Sequence, residues 1–316
     1  MSDENVKMQT KKKTDLIVIL GPTATGKTRI AALLADRLNT CVISADSRQV
    51  YRRMDIGTGK DYADYQVEGK NIPAHLIDIV EPGYKYNLFE YQRDFHAVYT
   101  HIKNEGKTPI LCGGSGLYID CLLRNYDLRE VPRNIALREK LQEKPLSELK
   151  TILASYKNLH NESDVDTVNR ALRAIEIADF QTSNALSSQV YPAINYICFG
   201  IDCEREIRRQ RITERLLKRA EEGLVAEVEG LMNEGLSYED LEFYGLEYKY
   251  TAGYIRGDFD KNTFLALLET AIHQFAKRQM TFFRSMEKKG IKINWISREL
   301  TNEEIVDRIY NASEIG

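Results

Sequence analysis

Short apolar runs alternate along this chain with longer stretches of helical period. Five runs stand out: Leu16–Leu20, Cys41–Ser44, His75–Val80, Pro109–Cys112 and Tyr196–Ile201. Each is nearly continuous and ends in small or turn-forming residues, which suits strands covered on both faces in a parallel sheet between helices. A glycine-rich turn and a helix over Ile30–Leu38 separate the first two runs, giving a βαβ unit. From about Arg124 to about Asp164 leucines sit among charges with no strand-like run, which predicts a small helical insertion. Beyond Val165 helical spacing returns, with one strand at Tyr196–Ile201. The expected fold is α/β, a parallel sheet flanked by helices with a helical insertion subdomain. Residues 14–125 and 165–316 form its core with C-terminal helices, 126–164 the insertion, and the polar residues 1–13 a disordered tail.

Composition narrows the setting. Of 316 residues 43% are hydrophobic and 29% charged, ordinary for a soluble globular protein. The net charge of -3 announces no nucleic-acid partner, so any basic surface has to be local. The five cysteines (Cys41, Cys112, Cys121, Cys198, Cys203) are odd in number and scattered, which argues against a disulfide framework or a zinc site. Cys41, Cys112 and Cys198 adjoin apolar runs and read as small buried hydrophobes in a reducing cytoplasm. No run approaches the ~20 apolar residues of a membrane span, and the five after Lys11-Lys12-Lys13 are too few for a signal peptide. The expected location is cytoplasmic.

The sharpest chemical signal is Gly21-Pro22-Thr23-Ala24-Thr25-Gly26-Lys27-Thr28, a full G-x-x-x-x-G-K-T between a predicted strand and a predicted helix. Its glycines turn backbone N–H groups inward around phosphate oxygens, and the helix N-terminus adds a favourable dipole. Lys27 would neutralise the terminal phosphate and Thr28 would offer its hydroxyl to Mg²⁺. The fold is therefore P-loop NTPase-like, but ATP, GTP and a prenyl diphosphate all present the pyrophosphate such a loop holds. Asp46 follows the second strand at the sheet edge where ligands collect, and is expected near the loop because adjacent strands share one crevice. It could hold Mg²⁺, accept a proton from a nucleophile, or simply cap a turn.

Residues 204–219 carry seven arginines and lysines against three glutamates. Arg208, Arg211, Arg215 and Arg219 fall on one shoulder of a helix, beside an apolar stripe of Ile212, Leu216, Ala220, Leu224 and Leu231. Guanidinium groups at the rim of a packed helix suit phosphate, unless the run is only a solvated face. Arg215 is the first candidate to reach a diphosphate and Arg211 the second. The helix with His273, Lys277, Arg278 and Arg284 repeats the pattern, with Phe275, Phe282 and Phe283 expected in the core.

In its motifs the chain closely resembles the tRNA dimethylallyltransferases, also called tRNA isopentenyltransferases. The matching stretches, in family order, are Gly21–Thr28, Ile43–Tyr51, Met54–Thr58, His75–Asp78, Gly113–Tyr118, Arg170–Glu176 and Ala276–Arg284. The resemblance implies that the loop binds dimethylallyl diphosphate, with Mg²⁺ at Thr28. It implies that Asp46 takes a hydrogen from N6 of adenine 37 in tRNAs reading codons that begin with U, giving i6A. Ser115 stands at a family threonine and keeps a hydroxyl near that adenine. Asp46, Ser47, Arg48, Gln49, Ser115, Arg138 and the segment Asn169, Arg170, Ala171, Leu172, Arg173 are then expected to meet the anticodon stem-loop, joined by the basic Lys277 and Arg278. A monomer is expected. The rival readings are prenyl transfer to a free adenine nucleotide and, less favoured, a P-loop kinase. Gly59, Ala74 and Glu247 depart from the family pattern, where alanine, histidine and glycine are usual.

Overall fold

All five side chains of β1 (Leu16–Leu20) are out of solvent. Leu16, Val18 and Leu20 join one apolar layer and Ile17 and Ile19 the other, as a strand's two-residue period requires. The computed structural model describes residues 14–156, 165–183 and 191–313. The expected tail at 1–13 and the end of the expected insertion at 157–164 lie outside them.

After β1 come α1 (Lys27–Arg37), β2 (Val42–Ser44), a 3-10 turn (Tyr62–Tyr65), and the short pair β3 (Gln66–Val67) and β4 (Lys70–Asn71). Then follow β5 (Ala74–His75), α2 (Leu88–Asn104), β6 (Ile110–Gly113) and α3 (Gly116–Leu123). The helices α4 (Ile135–Leu141), α5 (Leu146–Tyr156) and α6 (Val168–Ser183) occupy the middle of the chain. The remainder is β7 (Tyr196–Asp202), α7 (Arg205–Glu221), α8 (Leu224–Asn233), α9 (Tyr238–Tyr244), α10 (Leu246–Arg256), α11 (Lys261–Lys288), β8 (Asn294–Ser297) and α12 (Asn302–Ala312).

Six strands form a parallel sheet in the order β5-β2-β6-β1-β7-β8. The layer on one face joins α1 and α12 through Ile30, Leu34, Ile305 and Ile309, and the other carries Tyr91, Phe95, Ile119 and Phe283 from α2, α3 and α11. Helices on both faces bear out the expected α/β sheet. All five cysteines are free thiols, four of them buried.

The structure corrects three details of the sequence reading. The run His75–Val80 leaves the sheet after its first residue, His75, because Leu76 and Asp78 take left-handed φ of 61° and 56°. The stripe from Ile212 to Leu231 is two helices, broken at Gly223, whose φ of 111° suits glycine. β8 was missed, since it holds four residues at the sheet edge and only Trp295 and Ile296 are apolar.

Two units divide the chain: Met1–Asn125 with Pro192–Gly316, and Tyr126–Tyr191. In the second, Ala171, Leu172, Ile175 and Ala178 of α6 pack with Leu149 and Leu153 of α5. This packing assigns α6, expected in the core, to the helical unit.

Gly200 of β7 lies where any side chain would run into the ring of Trp295 on the neighbouring strand. Trp295 is the sole tryptophan of the chain and donates its indole N–H to Glu287 Oε1 at 3.0 Å. Gly200→Ala is expected to displace the indole and cost about 1–3 kcal/mol. Denaturant unfolding followed by tryptophan fluorescence reads both effects at once.

Candidate active site at the end of the central strand

The chain leaves β1 through Gly21, where a side chain would strike the carbonyl of Ile201 on β7. Buried Thr25 donates its hydroxyl to Pro22 O at 3.0 Å, and Gly26 caps α1 with a left-handed φ of 72°. The loop is thereby closed before α1 begins at Lys27, so the helix N-terminus faces the space the loop encloses. Lys27 bends back and donates to Pro22 O at 3.4 Å. Burial depresses its pKa and Arg215 adds to the effect, while Asp46 and Asp64 oppose it. A half-buried ammonium at a helix N-terminus suits an anion.

Asp46 is not on a strand next to β1, as expected, because β6 lies between β1 and β2. Its carboxylate is nevertheless within electrostatic reach of Lys27. One oxygen accepts the Arg48 N–H at 2.9 Å, so the turn-capping role is real and coexists with any chemical one. Ser115 lies beside it. Its Oγ accepts the Ser47 N–H at 2.9 Å and donates to Ser47 Oγ at 3.2 Å, while its own N–H donates to Ala45 O at 3.1 Å. A side chain at Gly113 would collide with Ala45, so glycine lets the ends of β2 and β6 close together.

The α7 arginines differ in their surroundings. Arg208 is held by Asp202, and Arg211 is turned toward Cys203 and Arg298. Arg215 lines a cleft with Thr23 and Ala24 of the phosphate loop, and its charge is felt at Lys27. Arg219, expected on the rim, is buried, while Ala220 of the expected apolar stripe is half-buried. Any side chain at Gly59 would overlap the guanidinium groups of Arg215 and Arg219, and its φ is +69°, so the departure at 59 makes room for this pair.

Two polar anchors escaped the sequence reading. Gln279 of α11 accepts the Thr23 N–H through Oε1 at 2.9 Å and donates from Nε2 to Gly114 O at 2.9 Å. It ties the phosphate loop to the turn that carries Ser115. Glu227 of α8 accepts the N–H groups of Asp55 and Ile56 at 2.7 Å and of Gly57 at 2.9 Å, and the Tyr248 hydroxyl at 2.8 Å. That carboxylate fixes the loop whose Gly59 carbonyl accepts from Gln49 Nε2 at 3.0 Å. Both loops carry recognised motifs, but only the three-dimensional structure supplies the anchors, more than 160 residues away.

Lys277 and Arg278 are exposed on α11; Phe283 is buried and Phe275, expected in the core, is 40% exposed. Within the helical unit, Arg138 makes a two-pronged pair with buried Glu176 at 2.6 and 3.0 Å. Arg173 bonds Glu176 and the Val131 carbonyl. Ala171 and Leu172 face that unit's own core, so the expected RNA contact is corrected for their side chains; Asn169 and Arg170 are exposed. Among the described residues no group of three or more His, Cys, Asp or Glu could hold a metal, and no helix is long and apolar enough to cross a membrane.

Comparison with known proteins decides the family. The profile described as IPP transferase matches residues 49–286. The chain belongs to the IPP transferase family. A tRNA dimethylallyltransferase 1 from Parabacteroides distasonis is 57% identical over 293 residues, covering 93% of this chain and 95% of the relative. The crystal structure of the tRNA isopentenylpyrophosphate transferase of Bacillus halodurans is 29% identical with a TM-score of 0.69, covering 95% of each chain. That of the Staphylococcus epidermidis tRNA delta(2)-isopentenylpyrophosphate transferase is 30% identical with a TM-score of 0.67, covering 95% of this chain and 99% of the other. The IPP transferase profile starts after the phosphate loop and Asp46, and the longer alignments extend the likeness over nearly the whole chain.

Gln279→Ala leaves the Thr23 N–H and Gly114 carbonyl without their partner. It is expected to destabilise the fold by about 2 kcal/mol and to weaken pyrophosphate binding about tenfold by loosening the loop. Thermal melting and calorimetric titration with pyrophosphate measure the two effects.

Proposed function

We propose that this IPP transferase moves a dimethylallyl group from dimethylallyl diphosphate to N6 of adenine 37 in tRNAs reading codons that begin with U, forming i6A. The observation that carries the reading is the electrostatic interaction of a half-buried Lys27 at the N-terminus of α1 with a carboxylate, Asp46, supported beside Ser115. An anion site and a proton acceptor within each other's field suit a displacement whose leaving group is a diphosphate. Relatives named tRNA dimethylallyltransferase over nearly the whole chain support the substrate class.

N6 of the adenine attacks C1 of the allyl group, and the C1–O bond to diphosphate breaks with its electron pair leaving on oxygen. The adenine N6 proton passes to the Asp46 carboxylate. Because the transition state is rich in carbocation character, the largest help is needed at the departing oxygens. The backbone N–H groups of Ala24–Thr28, the Lys27 ammonium and the Arg215 guanidinium meet that charge. Ser115 holds the segment bearing Asp46 and offers a hydroxyl to the base.

Thr28, second residue of α1, contributes one hard oxygen donor, and diphosphate and water would supply the rest; this donor set suits Mg²⁺ carried in by a phosphate substrate. Bound there, Mg²⁺ would neutralise diphosphate charge.

For the tRNA, Asp46 to Gln49 and Ser115 line the crevice, Lys277 and Arg278 add an exposed basic pair, and Arg138, Asn169, Arg170 and Arg173 serve the anticodon stem-loop from the helical unit. The two prongs from Arg138 to Glu176 give Arg138 the further task of ordering α4 against α6.

Transfer of labelled dimethylallyl diphosphate with Mg²⁺ into unmodified tRNA, beside free AMP, tests the reading. Label is expected in tRNA alone, and Asp46→Ala is expected to cut turnover ~10²–10⁴-fold while pyrophosphate binding persists. Label confined to AMP would move the chain to the free-nucleotide class, and equal turnover in the variant would remove Asp46 as the base.

A further inference from the structure

Arg219 is only 7% exposed, and its Nη2 finds no hydrogen-bond partner among the described residues. Asp61 Oδ2 lies 3.8 Å away, beyond hydrogen-bond length. Arg215 stands next to it, since both guanidinium groups fill the space above Gly59. Burial and the repulsion of Arg215 push Arg219 down to about 10. Two crowded guanidinium groups with an unused donor call for an anion.

The chain sets two carboxylates in the field of Arg219, Asp61 and, with the larger effect, Glu247, the second residue of α10. Glu247 lines the same cleft as Arg215, Arg219 and the loop residues Thr23 and Ala24, and interacts electrostatically with both arginines. Burial raises its pKa, Asp46 adds to that, and the two arginines oppose it. The room left in the cleft is ≈ 20 Å³, enough for one water and not for a phosphate group. Phosphate oxygens arriving at the loop would meet arginines already in the field of a carboxylate.

We propose that Glu247 is an internal counter-ion that holds Arg215 and Arg219 beside the phosphate loop and competes for them with the diphosphate, thereby setting how tightly diphosphate binds and how fast it leaves. The inference rests on the diphosphate reading of the phosphate loop. The carboxylate spares Arg219 a buried, uncompensated charge before substrate arrives. Once diphosphate is bound, the same carboxylate repels it, and that repulsion is relieved when pyrophosphate departs. Glu247 is a positioning residue that acts through the arginines and touches no reacting atom.

The test uses the full chain with Mg²⁺ and inorganic pyrophosphate as the calorimetric probe. Glu247→Gln keeps the shape and removes the charge, so pyrophosphate Kd and the KM for dimethylallyl diphosphate are expected to fall about tenfold. The kcat is expected to fall with them as release slows, while the KM for tRNA stays put. Without ligand the variant is expected to melt below wild type, and to gain more from added pyrophosphate than wild type does. Glu247→Asp draws the charge back by one methylene and is expected to bind about threefold tighter, which keeps the inference open to refutation should the glutamine variant not fold. Wild type that binds pyrophosphate with no tighter binding in either variant overturns this inference alone. Wild type that does not bind pyrophosphate overturns the diphosphate reading, and this inference with it.

Discussion

A half-buried lysine ammonium at the start of a helix sets the terms for the whole crevice. Among the described residues Lys27 is held by a long bond to the Pro22 carbonyl, and burial lowers its pKa. A cation so placed is tolerated because carboxylates at Asp46 and Asp64 share its field, and it is best satisfied by a multiply charged anion along the α1 dipole. The rigidity this demands comes from β1, fully buried between β6 and β7. A loop on the end of such a strand has a fixed starting point.

Much of the framework around that loop is built from the C-terminal half of the chain. Gln279 spans from the phosphate loop to the turn of Ser115, and Glu227 closes three backbone N–H groups of the segment after Tyr51. Both are single side chains doing the work of several backbone hydrogen bonds, and both stand on helices packed into the core. The arginine pair of α7 depends on the same framework, since the loop fixed by Glu227 presents Gly59, where alone the guanidinium groups fit.

Local chemistry was legible in the sequence and remote support was not. The continuous apolar runs gave the parallel sheet because a strand with two covered faces must be apolar at every position, as β1 is. Gly21–Thr28 and Asp46 were readable because their spacing encodes a turn and a strand end. The order of strands was not, and Asp46 proved to be separated from β1 by β6. Arg219 was misread because helical periodicity marks a face but does not say what lies opposite, and here the opposing surface is a glycine that admits a guanidinium group. β8 gave no signal because an edge strand of four residues needs little apolar content. Ala171 and Leu172 came in with a motif in which Arg170 is exposed and Glu176 is buried between arginines, while its apolar members pack α6 onto α5.

The proposed reaction requires that the allyl diphosphate lie in the Gly21–Thr28 loop with its C1 carbon turned toward Asp46. A crystal structure of the chain with the thiodiphosphate analogue, whose bridging sulfur resists ionisation, measures this directly. The account predicts phosphate oxygens against Lys27 and the N-terminus of α1, with C1 facing the Asp46 carboxylate. Diphosphate bound away from that loop, or C1 turned away from Asp46, would contradict it.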